Sequence, residues 1–262
     1  MSNAGREFEQ LAAGYDRHRP EYPHESMLAL ANHIEAGQHP DPAVVVDVGS
    51  GTGIATRLLH RYLDSRYLLI GVEPGEGMRL QAQESTPESM GIEYLESTAE
   101  VLLYDDSTLA ALVVAQALQW FDRPRFYAEA RRVLRPCGTL AVLQNNRDWQ
   151  SSAFLEEYET FLESNNPVYS RNYRAFDIQS ELSAVSGMSV SEPLVVIWER
   201  PLTVDEFIGM ATSSSRLQQV IDIQGEQATV AGVRSLAGRY ADKSGIVPVL
   251  YRCELYLARR GD

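Results

Sequence analysis

A glycine-rich segment, Asp47-Val48-Gly49-Ser50-Gly51-Thr52-Gly53, most strongly constrains the fold of this 262-residue chain. It overlaps the end of a β-branched run, Ala43 to Val48, and a stretch with helical spacing begins directly after it at Ile54. A continuous run of this kind is typical of a parallel strand buried on both faces. Glycines allow a sharp turn and a close approach to a ligand, and the helix that follows presents free N–H donors at the carboxyl edge of the sheet. The pattern predicts a strand, a ligand-binding loop and a helix.

The spacing of these glycines distinguishes between ligands. A dinucleotide-binding loop has the pattern G-x-G-x-x-G, and a phosphate-binding Walker loop needs Gly-Lys followed by Ser or Thr. Here Ile54 stands where the third glycine of the dinucleotide pattern falls, and the Walker lysine is absent. Both patterns therefore fail, which disfavours an NAD-dependent oxidoreductase.

Short apolar runs alternate with helical stretches as far as Asn145, which predicts an α/β fold with a mostly parallel sheet. Strands are predicted at Ala43–Val48, Tyr67–Val72, Ile92–Leu95, Leu109–Ala115 and Thr139–Leu143. Beyond Asn145 helical stretches predominate, with strand character at Ser189–Trp198 and Pro248–Ala258.

The glycine segment resembles motif I of the class I S-adenosylmethionine methyltransferases of the small-molecule type. Leu134-Arg135-Pro136-Cys137-Gly138 is similar to the Leu-Lys-Pro-Gly-Gly turn of that family, with a cysteine in place of one glycine. The resemblance covers Phe8 to about Asn146, and the rest of the chain only in outline. It implies a Rossmann-like, seven-stranded, mostly parallel sheet flanked by helices, with helical lid insertions. We expect a single domain over residues 1–262: an arm and helix at 1–40, a cofactor-binding core at 41–146, and the rest of the sheet with the lid at 147–262.

S-adenosylmethionine is the implied cofactor, with S-adenosylhomocysteine as product. Glu73 ends the second predicted strand, where an acid can accept hydrogen bonds from ribose hydroxyls. Met78 is expected against the adenine or in the core, and Glu100 near the adenine amino group or as a helix N-terminal acid. By the resemblance Tyr15 and Arg19 approach the methionyl carboxylate, the alternative being a surface arm. The expected cofactor residues are Tyr15, Arg19, Asp47, Gly49, Ser50, Gly51, Thr52, Gly53, Glu73, Pro74, Met78, Thr98, Ala99, Glu100, Gln116 and Ala117.

The acceptor side is expected after the fourth and fifth strands. Leu118-Gln119-Trp120 is similar to the triplet in trans-aconitate and malonyl-carrier-protein methyltransferases, which esterify carboxylates, although Trp120 could instead pack in the core. Asn145 to Asp148 leaves the fifth strand at the same edge, and either an acceptor contact or a loop salt bridge fits this segment. The expected substrate-binding residues are Gln119, Trp120, Arg147, Arg174 and Arg216.

No catalytic residue is assigned, because methyl transfer from an activated sulfonium depends mainly on distance and alignment. Gln119 and Trp120 are positioning candidates, and His18 and Asp148 are weak candidates for a general base. All five histidines lie at or before His60, away from the ends of the fourth and fifth strands. This favours a carboxylate acceptor, which needs no base near pH 7. No metal site is expected.

Charge and composition restrict the partners. The net charge of −13 disfavours binding to DNA or RNA, which depends on a basic field. No apolar run approaches the roughly 20 residues of a membrane helix, and the N-terminus lacks the features of a signal peptide. We therefore expect a cytoplasmic protein that acts on a small molecule, with no nucleic-acid or membrane partner. The oligomeric state stays open.

Two alternatives remain for the function. The acceptor could be another metabolite or natural product methylated on carbon, oxygen or nitrogen. The chain could also be a non-catalytic partner protein that binds S-adenosylmethionine. Arginines on the segments expected around the acceptor, Arg19, Arg147, Arg171, Arg174 and Arg216, could form a basic pocket inside an acidic protein.

Overall fold

The computed structural model describes Pro20 and residues 22–261. Tyr15, His18 and Arg19 therefore lie outside the described residues. The described chain forms two compact units. The first, here called the sheet unit, comprises residues 22–145, 176–196 and 253–261, and the second, the helical unit, comprises residues 146–175 and 197–252 with Pro20.

An eight-stranded sheet is the main element of the described residues. Its strands are β1 Ala43–Val48, β2 Tyr67–Val72, β3 Glu93–Leu95, β4 Leu109–Ala115, β5 Leu134–Arg147, β6 Met188–Val190, β7 Leu194–Thr203 and β8 Ile246–Arg260. Their order is β3-β2-β1-β4-β5-β8-β6, and β7 pairs with β8. The pairs β3–β2, β2–β1, β1–β4 and β4–β5 are parallel, and β6 is antiparallel to β8.

The predicted fold class is confirmed, with one strand more than the seven expected. The predicted strand Ser189–Trp198 is divided into the end of β6 and the start of β7. Pro193 lies in the break, where its fixed φ angle and missing N–H donor interrupt the ladder.

Helices cover both faces of the sheet in the sheet unit. They are α1 His24–Glu35, α2 Ile54–Leu59, α3 Glu76–Ser85, α4 Arg123–Val133 and α6 Ile178–Ser183. One core cluster includes Leu30 and Ile34 of α1, and the other includes Phe126 of α4 and Leu182 of α6. Because both faces are covered, β1 and β4 are almost entirely buried, as their continuous apolar sequences predict.

The helical unit contains α5 Ala153–Asn165, α7 Val204–Thr212, α8 Ser215–Gln224 and α9 Glu226–Tyr240. Its core includes the buried rings of Phe154, Tyr158 and Phe207. Helical spacing in the sequence continues over Thr203–Ile221 and by itself predicts one helix. The structure divides this stretch into α7 and α8, because the hydroxyl of Ser214 caps a new helix by accepting from the N–H of Leu217. No helix of the described residues is long and apolar enough to cross a membrane.

Candidate cofactor and acceptor site

The glycine loop, residues 49–53, connects β1 to α2 at the carboxyl edge of the sheet. The N–H groups of Gly49 and Ser50 donate to the carbonyl of Val72 at 2.8 and 3.1 Å, which ties the loop to the end of β2. Gly53 has a φ of +79°, and a Cβ there would lie 2.2 Å from the Tyr94 hydroxyl, so only glycine fits. A Cβ on Gly51 would meet no atom of the described residues within 4 Å, so among them this face of the loop is open to a ligand.

Glu73 lies directly after β2 and is fixed by backbone donors. Its Oε2 accepts from the N–H of Gly51 at 3.1 Å, and its Oε1 accepts from the N–H of Gly75 at 2.9 Å. Each carboxylate oxygen can accept more than one hydrogen bond. The half-buried carboxylate can therefore hold two neighbouring hydroxyl groups while the loop holds the carboxylate in place.

Asp47, one residue before the end of β1, is buried beneath the loop. The hydroxyl of Thr56 donates to its Oδ2 at 2.6 Å, and its Oδ1 has no hydrogen-bond partner in the part of the chain that the structure describes. Burial raises the pKa of this carboxyl to about 7; the Thr56 bond opposes the rise, and the nearby charge of Glu73 adds to it. The Oγ of Ser50 is also buried, and neither it nor the Asp47 Oδ1 has a hydrogen-bond partner within Pro20 and residues 22–261.

The residues expected around the adenine lie at the ends of β2 and β3. Met78 of α3 is buried, and Pro74 is exposed. Residues 98–101 form a tight turn with Thr98 exposed and Ala99 buried, so Glu100 is not at a helix N-terminus. Its Oε1 accepts from the backbone N–H of Asp122 at 2.9 Å.

Gln116 and Gln119 lie where β4 ends. Gln116 has a φ of +61° and donates through Nε2 to the carbonyl of Asn145. Gln119 donates through Nε2 to the Gln116 carbonyl at 2.7 Å, while its buried Oε1 has no partner among the residues that the structure describes. Ala117 is buried, and its Cβ would lie 2.7 Å from a Cβ at Gly49. The glycine loop and the end of β4 are therefore closely packed.

Trp120 is 54% exposed, which excludes a core position for its ring. It ends a short 3-10 turn, Leu118–Trp120, in which Leu118 is the buried residue. The alternative that Trp120 packs in the core is therefore wrong, and the ring is accessible on the sheet unit.

Two arginines beside the glycine loop and Glu73 were missed by the sequence reasoning. Arg79 donates through Nη1 to the carbonyls of Glu73 and Pro74, at 2.9 Å each. Arg57 donates to the carbonyl of Thr52 at 2.6 Å. Their signal in the sequence was weak, because a helical arginine three to five residues after a turn is common on any surface.

The helical unit contains the arginines expected on the acceptor side. Arg147 donates to the buried carboxylate of Glu159 at 2.8 Å, and its guanidinium lies over the Tyr158 ring. Burial alone would raise the pKa of Glu159, but the charge of Arg147 and a hydrogen bond from Tyr169 hold it below its usual value. The loop salt bridge considered for Arg147 is therefore present, with a partner on α5.

The other arginines of the helical unit differ in their partners. Arg171 forms an ion pair with Glu163, and Arg174 donates to Oδ1 of Asn146. The guanidinium of Arg216 lies over Tyr173 at 4.1 Å and over Tyr169 at 5.6 Å from the ring centroids. Among the described residues Arg216 forms neither an ion pair nor a hydrogen bond, so its charge is available to a ligand.

Asp148, the second candidate for a base, is buried in the helical unit, where its backbone N–H donates to Leu250 at 2.9 Å. His18, the first candidate, lies outside the described residues. No group of three His, Cys, Asp or Glu side chains in the described part of the chain could hold a metal ion.

Comparison with known proteins shows similarity to methyltransferases. Residues 46–142, which contain the glycine loop, Glu73 and Trp120, match the methyltransferase domain family. An uncharacterized methyltransferase of Mycobacterium tuberculosis is 34% identical over 168 residues, which are 63% of this chain and 62% of that protein. The chain thus spans about three fifths of the length of this relative.

Two further relatives carry names that state an activity. The malonyl-[acyl-carrier protein] O-methyltransferase of Methylococcus capsulatus is 33% identical over 45% of this chain and 41% of its own length. The trans-aconitate 2-methyltransferase of an Acidovorax species is 32% identical over 45% of each. A solved structure of a candidate type II methyltransferase from Anaeromyxobacter dehalogenans superposes with a TM-score of 0.65 at 24% identity, covering 93% of this chain and 97% of that one.

The predicted resemblance is confirmed: residues 46–142 match a methyltransferase domain, and the relatives and the fold support a class I S-adenosylmethionine methyltransferase. The cofactor of such a domain is S-adenosylmethionine, as predicted. The matched residues 46–142 lie within the sheet unit.

Proposed function

We propose that this protein transfers a methyl group from S-adenosylmethionine to a carboxylate of a small-molecule acceptor and forms an O-methyl ester. The observation that carries the methyl-transfer part is the fixed carboxylate of Glu73, whose two oxygens accept from Gly51 and Gly75. The carboxylate preference is supported by the relatives named for malonyl-carrier-protein and trans-aconitate methylation.

The described residues fit the cofactor. The open face of Gly51, the buried Oγ of Ser50 without a partner and the oriented Glu73 carboxylate together form a polar cradle. We propose that Glu73 binds the ribose hydroxyls, that Met78 contacts the adenine, and that Thr98, Ala99 and Glu100 surround its amino edge. The other proposed contacts are Asp47, Gly49, Thr52, Gly53, Pro74, Gln116 and Ala117, with Tyr15 and Arg19 for the methionyl carboxylate.

When bound, S-adenosylmethionine supplies a methyl group activated by its positive sulfur. The chain's own residues then have to bind the two reactants, align the acceptor with the methyl group and exclude water. Gln119 and Trp120 are proposed to position the acceptor, since the Trp120 ring is accessible and the Gln119 Oε1 has no partner. No general base is needed for an ionised carboxylate, and Asp148 and His18 are proposed as bases only for a hydroxyl or amine acceptor.

Arg216 is the strongest candidate for binding the acceptor carboxylate. Its guanidinium is stacked on Tyr169 and Tyr173 and makes no hydrogen bond in the described residues. Arg174 is proposed as a second contact. Arg147 is weaker, because Glu159 already neutralises its charge in a buried ion pair. A guanidinium held over aromatic rings loses little freedom when it binds a carboxylate.

The experiment is transfer of labelled methyl from S-adenosylmethionine to a panel of mono-, di- and tricarboxylic acids, each tested beside its amide and its alcohol. We expect an acid to react and its amide and alcohol to fail. Transfer only to amines, alcohols or carbon acids would refute the carboxylate preference. Binding of S-adenosylmethionine without transfer to any acceptor would favour the non-catalytic partner protein.

Arg216→Gln tests the proposed acceptor contact. Loss of a charge-assisted hydrogen bond is expected to raise the KM for the acid by about tenfold or more. The affinity for S-adenosylmethionine should not change. Arg234→Gln is the matched control, because Arg234 is an exposed arginine of the same unit and forms an ion pair with exposed Asp205. Equal KM values for the two variants would remove Arg216 from the proposal.

A further inference from the structure

A second cleft lies in the sheet unit, away from the glycine loop. It has a volume of about 400 Å³ and is lined in part by His33, Cys137, Ser189, Ser191, Arg259 and Arg260. Small-molecule sites in proteins have volumes of roughly 300–1,000 Å³. The cleft is therefore large enough for a ligand of modest size.

The position of Cys137 separates this cleft from the cofactor edge. Cys137 lies near the start of β5, whereas Asn145 near its end accepts from Gln116 beside the cofactor edge. With a rise of about 3.3 Å per residue, the strand between them places the two sites roughly 20 Å or more apart. The cleft is thus at the amino-terminal edge of the parallel strands.

Within the described part of the chain, two arginines of the cleft donate only to neutral groups. Arg259 donates to the carbonyl of Cys137 at 2.6 Å and to the carbonyl of His33. Arg260 donates to Oγ of Ser107 at 2.9 Å and to the carbonyl of Leu134. A guanidinium has five N–H donors, so each arginine keeps donors that these bonds do not use.

The charges of these arginines have no carboxylate partner in the described residues. Elsewhere in the same unit Arg79, Arg123 and Arg132 each form an ion pair with a carboxylate, at 2.7–2.9 Å. Arg259 and Arg260 are neighbours on β8 and form none. In a chain of net charge −13, this pair is a local concentration of positive charge.

The histidines nearby respond to that charge. Burial and then the charge of Arg259 lower the pKa of His33 to about 4, and no described residue forms a hydrogen bond with its Nε2. Burial, together with Arg135, Arg259 and Arg66, also lowers the pKa of His39 to about 4. Among the described residues no carboxylate shifts either histidine, so this part of the structure is positive and holds no counterion.

We propose that this cleft binds a small polyanion, a molecule with phosphate groups or several carboxylates, through Arg259 and Arg260. The planar fork of a guanidinium matches both kinds of group with two parallel hydrogen bonds. Ser189 lies opposite Arg259 in the antiparallel pair of β6 and β8 and borders the bound anion.

The test is isothermal titration calorimetry of the full chain with inorganic pyrophosphate and with citrate, at constant ionic strength. Ser189→Asp places a carboxylate across the strand pair from Arg259 and is expected to weaken binding by about tenfold or more. Ser189 is exposed, so the variant should fold. Arg260→Gln should also weaken binding, and Arg125→Gln, which removes an exposed arginine elsewhere in the unit, should not.

Proton NMR of the histidines supplies a second readout. A bound anion offsets the charge of Arg259, so the pKa of His33 should rise when either probe saturates the chain. Binding of pyrophosphate alone would identify a phosphate site, and binding of citrate alone a carboxylate site. No binding of either at millimolar concentration, or equal weakening in Arg125→Gln and Ser189→Asp, would overturn the proposal.

Discussion

Replacing Asp47 by asparagine tests the electrostatics beneath the glycine loop. The pKa of Asp47 is about 7 in the folded chain, against an ordinary value of 3.8. Because the folded-state value is the higher one, its contribution to stability is present in full below about pH 4 and is lost as the pH rises through 7. The difference of about three pH units corresponds to about 4 kcal/mol. Asparagine keeps the acceptor oxygen for Thr56 and carries no charge at any pH.

Urea unfolding of both proteins between pH 4 and 8.5 measures this effect. The free energy of unfolding of Asp47→Asn, relative to the unsubstituted chain, should rise by up to about 4 kcal/mol over that range. Asp105→Asn is the matched control, because Asp105 is exposed in the same unit and its side chain makes no hydrogen bond in the described residues. A stability difference for Asp47→Asn that is constant with pH, like that of the control, would refute the reasoning.

Three further substitutions test the site. Glu73→Gln places an NH2 group against the N–H of Gly51 or Gly75 and should weaken S-adenosylmethionine binding by about 10- to 100-fold in calorimetry, while exposed Glu76→Gln should not. Gly51→Ala should cost about 1 kcal/mol of unfolding free energy from its backbone angle alone. Gly53→Ala should cost about 1–3 kcal/mol more, because its Cβ collides with Tyr94; equal costs would contradict this packing. Trp120→Ala should lower kcat/KM by about tenfold or more and leave cofactor affinity unchanged; a fully active variant would place Trp120 outside the site.

The cofactor side of the domain could be predicted because local backbone constraints determine its sequence. The left-handed φ of Gly53 and the contact with Tyr94 require glycine, so the motif can be recognised in the sequence without knowledge of the fold. The position of Glu73 could be predicted because one helix and one strand after the loop bring the chain back to the carboxyl edge of the sheet. Buried parallel strands such as Leu109–Ala115 could also be predicted, because burial on both faces of the sheet requires a continuous apolar run.

The sequence could not show which arginines are ion-paired and which are available to a ligand, because their partners are distant in the chain. Arg147 forms an ion pair with Glu159, twelve positions later in the chain. This pair neutralises the positive charge that was expected to bind the acceptor. Arg216 stacks on rings more than forty residues away. The sequence of residues 145–148 alone does not show that Arg147 is neutralised by an ion pair.

The cleft at Arg259 and Arg260 was also invisible in the sequence. It forms because β8 returns antiparallel beside β6 and brings the last arginines of the chain next to His33 and Cys137. Only the strand order places these residues together. Similarly, the division at Pro193 into two strands depends on which neighbours complete the ladder.

The most direct test of the central claim is calorimetric titration of the chain with S-adenosylmethionine and, separately, with NADH. We predict one S-adenosylmethionine per chain with a dissociation constant on the order of micromolar, and no binding of NADH. Binding of NADH without S-adenosylmethionine would contradict the claim that the glycine loop and Glu73 form a methyl-donor site.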